Sequence, residues 1–347
     1  MSSSMVHQYI DRETSLVRTE HLFGDGLIRF FYDETRERTP ALFRALTSAR
    51  MSRLLAYLHY DRRLAELLPV GRRFLSQVGV DLAECLGHPD ELDTPQKVFE
   101  RRIRFWDCRP MSTDPGAVVS PADSRVLLGS LAETSLLFLK EKFFDLAELV
   151  DRSRPVWVSA FAGGDWAIFR LTPDKYHYSH TPVAGVVRDF YTVDGLYHSC
   201  NPCAVVAMAT PYSKNKRTVT IIDTDVEGGT GVGLVAMIEV VALMIGEVVQ
   251  CYSPHRYDLP RPARPGMFLR KGQPKSRYRP GSSTDVLLFQ PGRVAFAEDL
   301  TRNLHRQDVA SRFSAGFSRS LVETDVKVRS DIGRARRPPC TPRETRS

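Results

Sequence analysis

The sequence predicts an α+β fold, with an N-terminal helical region followed by a mostly antiparallel β domain. Three observations carry this reading. Apolar residues recur at helical spacing through the first 110 residues. From about residue 117 the texture changes to short β-branched runs set off by Gly, Pro and Asp. These runs do not alternate with helices, which argues against a doubly wound parallel sheet.

Taken in order, Thr39-Pro40 reads as a helix cap with proline at the first helical position. Leu42, Phe43, Leu46, Leu54, Leu55 and Leu58 then repeat at helical spacing until Pro69 stops the run. Thr94-Pro95 repeats the start signal before Val98, Phe99, Ile103 and Trp106. Arg101, Arg102 and Arg104 are interleaved there, as a solvated helix face or as contacts to lipid headgroups. Strands are expected over 117–119, 125–128, 156–161, 166–171, 183–187, 204–209, 218–223, 233–241, 247–252 and 286–289, with one helix at 141–151. The glycine-rich run from Gly228 to Gly233 lacks the lysine of a phosphate-binding loop and reads as a hairpin turn. The expected organisation is a helical region over 1–110, a β-rich domain over 111–333 and a disordered basic tail over 334–347, which holds five arginines against one glutamate.

At 347 residues and 42% hydrophobic content the chain can bury a large core. Its net charge of +7 suits an anionic partner, a nucleic acid or an acidic membrane surface. Six cysteines are too few for a disulfide scaffold, so reduced thiols are expected. The first twenty residues contain no apolar signal segment. The most hydrophobic run, Val232 to Gly246, is too short to span a bilayer and carries Glu239 in its middle. A cytoplasmic protein with at most peripheral membrane contact is the expectation.

Four stretches hold residues that could carry chemistry. In Arg279-Pro280-Gly281-Ser282-Ser283-Thr284-Asp285 a small-hydroxyl turn runs straight into an apolar strand. A serine hydroxyl held against the preceding carbonyl can convert the amide to an ester, and elimination followed by hydrolysis leaves a pyruvoyl group. Gly281 would let the backbone bend for that attack. The plain alternative is a polar hairpin turn. Val119-Ser120-Pro121-Ala122-Asp123 places an acid after a proline, ordinary turn chemistry by itself. The segment 171–182 sets His177 and His180 three residues apart, a pair that lacks a third metal ligand within reach. Cys200-Asn201-Pro202-Cys203 has the spacing of a redox or zinc motif but no second such pair, and incidental thiols are the simpler reading. Asp123, His180 and Ser282 or Ser283 are together the parts of an orienter, base and nucleophile set.

From about Phe99 to Val294 the sequence resembles the phosphatidylserine decarboxylases, pyruvoyl-dependent enzymes made as self-cleaving proenzymes. Arg109-Pro110 and the Ser-Pro-Ala-Asp of 120–123 look like the family's RP and SPADG segments. The run from Arg170 to Pro182 looks like its RLxPxDYHRxHxP signature. Asn215-Lys216-Arg217, the apolar stretch from Val235 and Lys271-Gly272 match further segments in the same order.

The resemblance implies an antiparallel β domain of the phosphatidylserine decarboxylase type. It also implies that His180 is the base for the serine, that Asp123 holds the His180 imidazole, and that His177 places the substrate. The cofactor would be a pyruvoyl group made from Ser282 or Ser283, with no pyridoxal phosphate and no metal. The expected reaction converts phosphatidylserine to phosphatidylethanolamine and CO₂. A soluble, for instance aromatic, amino acid is an alternative substrate, and an uncleaved lipid-binding relative is a second alternative. Expected partners are the substrate, an anionic membrane, the chain's own cleaved α and β parts as a heterodimer, and further copies in a homo-oligomer, with no nucleic acid. Ser124 stands where the family has glycine, Ala236-Met237 replaces Gly-Ala, and GSST is one residue longer than GST. Counting forward from Lys271-Gly272 selects Ser282, preceded by Gly281 and preferred for that reason; counting back from Leu288-Phe289 selects Ser283.

Overall fold

The computed structural model describes residues 6–22, 25–29, 32, 47–48, 80–88, 91–92, 94–132, 143–243, 247–280 and 283–336. Eight strands come before residue 225: β1 (Gln8–Asp11), β2 (Val17–Thr19), β3 (Ala117–Val119), β4 (Ser124–Ser130), β5 (Asp165–Leu171), β6 (Tyr178–His180), β7 (Gly185–Val193) and β8 (Arg217–Asp223). Eight follow: β9 (Leu234–Val241), β10 (Val248–Gln250), β11 (Phe268–Leu269), β12 (Pro274–Tyr278), β13 (Ser283–Phe289), β14 (Val294–Phe296), β15 (Thr324–Val326) and β16 (Asp331–Ala335).

The main sheet has the order β11-β7-β8-β9-β13-β5-β4-β15-β1-β2. Its neighbours pair antiparallel except β1 with β15, so the α+β, mostly antiparallel expectation holds. Strand β13 lies in the middle, hydrogen-bonded on both sides along its whole length. Every one of its residues is buried, because both faces of the sheet are covered. Val286 and Leu288 pack on one side with Phe143, Trp166 and Phe313; Leu287 and Phe289 pack on the other with Phe169, Met237 and Leu269. A strand buried on two faces reads as a continuous apolar run, which is why 286–289 stands out in the sequence.

A small sheet, β10-β12-β6, covers the second face of the main sheet at the start of β13. Three contacts fix it there: Ser179 of β6 and Tyr278 of β12 both donate to Asp285 of β13, and Lys275 of β12 pairs with Glu239 of β9. The third sheet, β14-β16-β3, closes the far end.

Several local expectations change. Residues 156–161 form the helix Pro155–Phe161 despite their β-branched content, since Pro155 sits at the first helical position. Residues 204–209 mostly form the helix Pro202–Ala207, capped by Asn201, whose side chain accepts from the Cys203 N–H. Thr94 caps Pro95–Phe99 as expected, but that helix ends before the arginines. Arg101 is buried and donates to the carbonyls of Val98 and Asp174, whereas Arg102 and Arg104 are exposed. The N-terminal region contributes β1 and β2 to the sheet edge, and the helix expected from Thr39 to Pro69 lies outside the described residues. The last strand reaches Ala335, inside the stretch expected as tail; residues 337–347 lie outside the described ones.

Candidate active site

The site is built around the first residue of β13. Ser283 is opposite Leu171 on one side and Val241 on the other. Side chains two apart on a strand share a face, so Ser283 and Asp285 point the same way as Leu287 and Phe289. Leu171, Val241, Tyr278 and Ala122 form an apolar cluster at this level. The Ser283 hydroxyl is fully buried and has no hydrogen-bond partner among the described residues. Leaving a buried hydroxyl unpaired costs about 1–3 kcal/mol, so the position calls for an explanation. Gly281 and Ser282, the other two candidates at the turn, lie outside the described residues.

One step inward the two sheets enclose a polar layer. Asp285 accepts from Tyr278 Oη at 2.6 Å and from Ser179 Oγ at 2.8 Å. Directly across the strand pair is Glu239, whose Oε2 meets Lys275 Nζ at 2.6 Å and Gln250 Nε2 at 2.9 Å, while Ser276 donates to its other oxygen. Asp285, Glu239, Lys275, Ser179, Ser276 and Tyr278 are all fully buried. Burial, and then the neighbouring Glu239 charge, push the Asp285 carboxyl up to about 7.

The two histidines fall on opposite sides of their segment. Tyr176, Tyr178 and His180 contact Phe105 and Tyr257, whereas Ser179 points to Asp285 and His177 stacks on Phe99 at 3.6 Å between ring centroids. His177 Nδ1 is 2.8 Å from the Lys175 carbonyl, which can only accept, so Nδ1 carries the proton. Its Nε2 is then a lone pair, buried and without a partner among the described residues. In His180, Nδ1 donates to the Gly272 carbonyl at 3.0 Å and Nε2 accepts from Tyr176 Oη at 3.0 Å. Burial holds both imidazoles neutral, with pKa values lowered to about 3.

Asp123 does not make the expected bond to His180. Its carboxylate takes Arg109 Nε at 2.9 Å and Nη2 at 2.7 Å, and the Val328 N–H at 2.8 Å. Burial alone would raise its pKa, but the Arg109 hydrogen bonds and charge outweigh burial and hold it below the ordinary carboxylate value. The reason is charge balance. Arg109 is itself buried and needs both Asp123 and Glu84 to compensate it, so the tautomer of His180 is fixed by a backbone carbonyl instead.

The separate sequence motifs do meet. Arg109 pairs with Asp123, and His180 bonds Gly272 of the lysine-glycine pair, which stands at φ +71°. Asn215 holds the Val241 carbonyl, across from Ser283, while Arg217 donates to the carbonyls of Leu149, Ser213 and Asn215. Cys200 of the Cys200–Cys203 motif is a buried free thiol. Among the described residues one cluster could geometrically hold a metal: His7, Glu20 and Glu323. Arg170 forks onto both carboxylates and Arg125 pairs with Glu20, so the acids already have cationic partners and tie the N-terminal strands to the core. Sequence reading missed Asp285, Lys275 and Tyr278. Asp285 interrupts the run into β13 and Glu239 interrupts that of β9, and these two breaks were the available signal.

At the start of β13 stand a buried serine hydroxyl with no partner among the described residues and, two residues on, a carboxyl held near neutrality. On the neighbouring segment His177 has an open Nε2, and His180 Nε2 accepts from Tyr176. Residues 96–314 match the family model described as Phosphatidylserine decarboxylase. The chain is 30% identical over 328 residues to a "Phosphatidylserine decarboxylase proenzyme" of Chlamydia trachomatis serovar L2, covering 94% of this chain and 96% of the relative. It is 32% identical over 239 residues to the protein of that name in Bordetella petrii, and 25% identical over 299 residues to that of Fusobacterium nucleatum, covering 65% and 85% of this chain and 79% and 91% of the relatives. The chain belongs to the phosphatidylserine decarboxylase family and is a carboxy-lyase. No helix among the described residues is long and apolar enough to cross a membrane.

Proposed function

We propose that this chain is a proenzyme that cuts itself at the Ser282–Ser283 bond and then decarboxylates phosphatidylserine to phosphatidylethanolamine at the surface of an anionic membrane. The observation that carries it is the Ser283 hydroxyl, buried and without a partner among the described residues at the start of the central strand. A hydroxyl without a partner keeps its lone pairs for the carbonyl of residue 282. As the new C–O bond forms and the C–N bond breaks, the hydroxyl proton passes to the Ser283 nitrogen. Loss of the Ser283 Cα proton then expels the residue 282 carboxylate, which severs the chain, and one water hydrolyses the dehydroalanine to the pyruvoyl group with release of ammonia.

We assign His180 the role of base for the hydroxyl proton on the motif it belongs to and on its Nε2 being a hydroxyl acceptor. Its ring lies on the side of its segment away from Ser179, so the serine turn has to reach the place Tyr176 holds here for the attack. Asp123 supports the site through Arg109, whose chain segment packs beside His180. A pyruvoyl group fits residue 283, since it is no larger than the serine it replaces and the Leu171, Val241 and Tyr278 side chains would wall it from water. When formed, such a group supplies the electron sink for loss of CO₂. The open Nε2 of His177 suits the proton that must be returned to the substrate carbon.

Intact mass tests the cut: a 65-residue C-terminal chain starting at residue 283 is expected, and a 66-residue chain would move the nucleophile to Ser282. Ser283→Ala should leave one 39.2 kDa chain. CO₂ release from phosphatidylserine in detergent micelles, against a panel of free amino acids, tests the substrate; release from the amino acids alone overturns the lipid reading. His180→Ala should block the cut, whereas His177→Ala should be cut and fail in turnover.

A further inference from the structure

The most exposed large apolar side chain among the described residues is Leu259, 88% exposed at the tip of the loop between β10 and β11. It stands at φ +46°, a strained conformation for a leucine, so the tip is held out by its surroundings. The base of the loop is firmly built. Tyr252 and Ala263 are buried in the core, Tyr252 bridges to Arg261, and the Ser253 hydroxyl lies within reach of the carbonyls of His255 and Asp258. Pro260, Pro262 and Pro265 further restrict the chain. The strain therefore buys no contact within the protein.

Charge around the tip is one-sided. Arg256, Arg261, Arg264 and Arg270 are exposed, and none has a carboxylate partner among the described residues, although Arg256 lies over the Trp106 ring at 4.1 Å. Elsewhere on the surface Arg12, Arg188, Arg293 and Arg306 each face an aspartate. The loop's one acid, Asp258, is engaged by His255 at 2.8 Å. Phe268, 39% exposed on the edge strand, adds apolar surface beside the arginines. The loop also reaches the site, since Tyr257 Oη is 2.7 Å from Tyr176 Oη, which donates to His180.

We propose that loop 253–267 is a membrane-docking element, with Leu259 inserted among the headgroups of an anionic phospholipid bilayer and Arg256, Arg261 and Arg264 on their phosphates. This rests on the reading that the substrate is a membrane lipid, and it names the surface by which the chain meets that lipid. An apolar tip ringed by arginines that have no carboxylate partner among the described residues is the pattern that combines insertion with electrostatic attraction.

The test is flotation of the full-length protein with phosphatidylglycerol-containing vesicles and with pure phosphatidylcholine vesicles. Phosphatidylglycerol has the charge but no serine, so binding is read without turnover. The parent should float with the anionic vesicles only. Leu259→Glu should weaken binding at least about tenfold, and Arg261→Ser with Arg264→Ser about 25-fold, a factor of about five for each charge. Both variants should keep parental self-cleavage, circular dichroism and turnover of phosphatidylserine in detergent micelles. Failure of the parent to bind anionic vesicles, or variants that bind like the parent, would overturn the proposal. Vesicle binding without micellar turnover would instead remove the decarboxylase reading and leave the docking surface standing.

Discussion

Replacing Asp285 with asparagine should stabilise the protein, and more so as the pH rises. The carboxyl is fully buried beside Glu239, and burial followed by that charge lifts its pKa from an ordinary 3.8 to about 7. A raised carboxyl pKa means that the folded state binds the proton more tightly than the unfolded chain. Stability therefore falls as pH rises from the unfolded value to the folded one, the reverse of a salt-bridged aspartate. With these two values the ionisation costs about 1.5–2 kcal/mol of stability at pH 5 and about 4 kcal/mol at pH 8.

Asparagine keeps the shape and titrates nowhere in this range. Its oxygen can accept from Tyr278, and its amide can donate to Ser179. The gap between Asp285→Asn and the parent should thus widen by about 2–3 kcal/mol between pH 5 and pH 8. Comparing variant with parent at each pH removes the contribution of His177 and His180. Their folded pKa values are lowered to about 3, so they withdraw stability as pH falls below about 6.5 in both proteins. Equilibrium urea unfolding followed by tryptophan fluorescence gives the numbers. A gap that stays constant, or narrows with rising pH, would refute the argument and show Asp285 to be ionised and compensated in the fold.

Three further outcomes are expected. Lys275→Met strands the Glu239 carboxylate in the polar layer and should cost about 3–5 kcal/mol in urea unfolding, most of it regained in the double variant with Glu239→Met; a single variant as stable as the parent would discount the pair. Gly164→Ala puts a Cβ 1.9 Å from the Phe289 carbonyl oxygen, backbone that cannot swing aside, and should lower the thermal midpoint by well over the few degrees of a typical surface change; Gly163→Ala meets nothing within 4 Å and should cost only the ~1 kcal/mol of its positive φ. Arg109→Lys cannot fork onto Asp123 and Glu84 together, so self-cleavage should slow measurably in a time course of band splitting while the fold survives.

The legible part of this protein was what local pattern determines. An apolar run after a small-hydroxyl turn fixed the central strand. The order of the short motifs pointed to a family whose model and relatives the chain does match. What the sequence hid depends on register and on charge balance between distant segments. Nothing in the spacing of Glu239 and Asp285 says that they stand opposite each other; only the pairing of β9 with β13 does. The partner of Asp123 was misjudged because Arg109, fourteen residues earlier, must bury its guanidinium and takes the carboxylate first. Arg101 looked like one of three surface cations, but the helix ends at Phe99 and the chain turns it inward.

The acid that looked out of place in an apolar strand then acquires a reason. Lys275 on β12 needs a buried counter-charge, and Glu239 supplies it, pinning the small sheet to the large one above Ser283. With that pair balanced, any further ionised group between the sheets would be uncompensated, and Asp285 is such a group. It can stay only as the neutral acid or at a cost in stability. Asp285 therefore carries one titratable proton, two residues from the serine at the start of β13, beside the hydroxyls of Tyr278 and Ser179. When Asp285 ionises, Tyr278 Oη must donate to it. When Asp285 is protonated, the Tyr278 hydroxyl is free to donate to the Thr284 carbonyl, 3.2 Å away on the backbone that carries Ser283. The protonation state of Asp285 thus bears on a hydrogen bond to the Thr284–Asp285 peptide, one residue beyond Ser283, and if Ser283 is the nucleophile as proposed, this is a route from the charge cluster in the sheet interior to the strand's first residue.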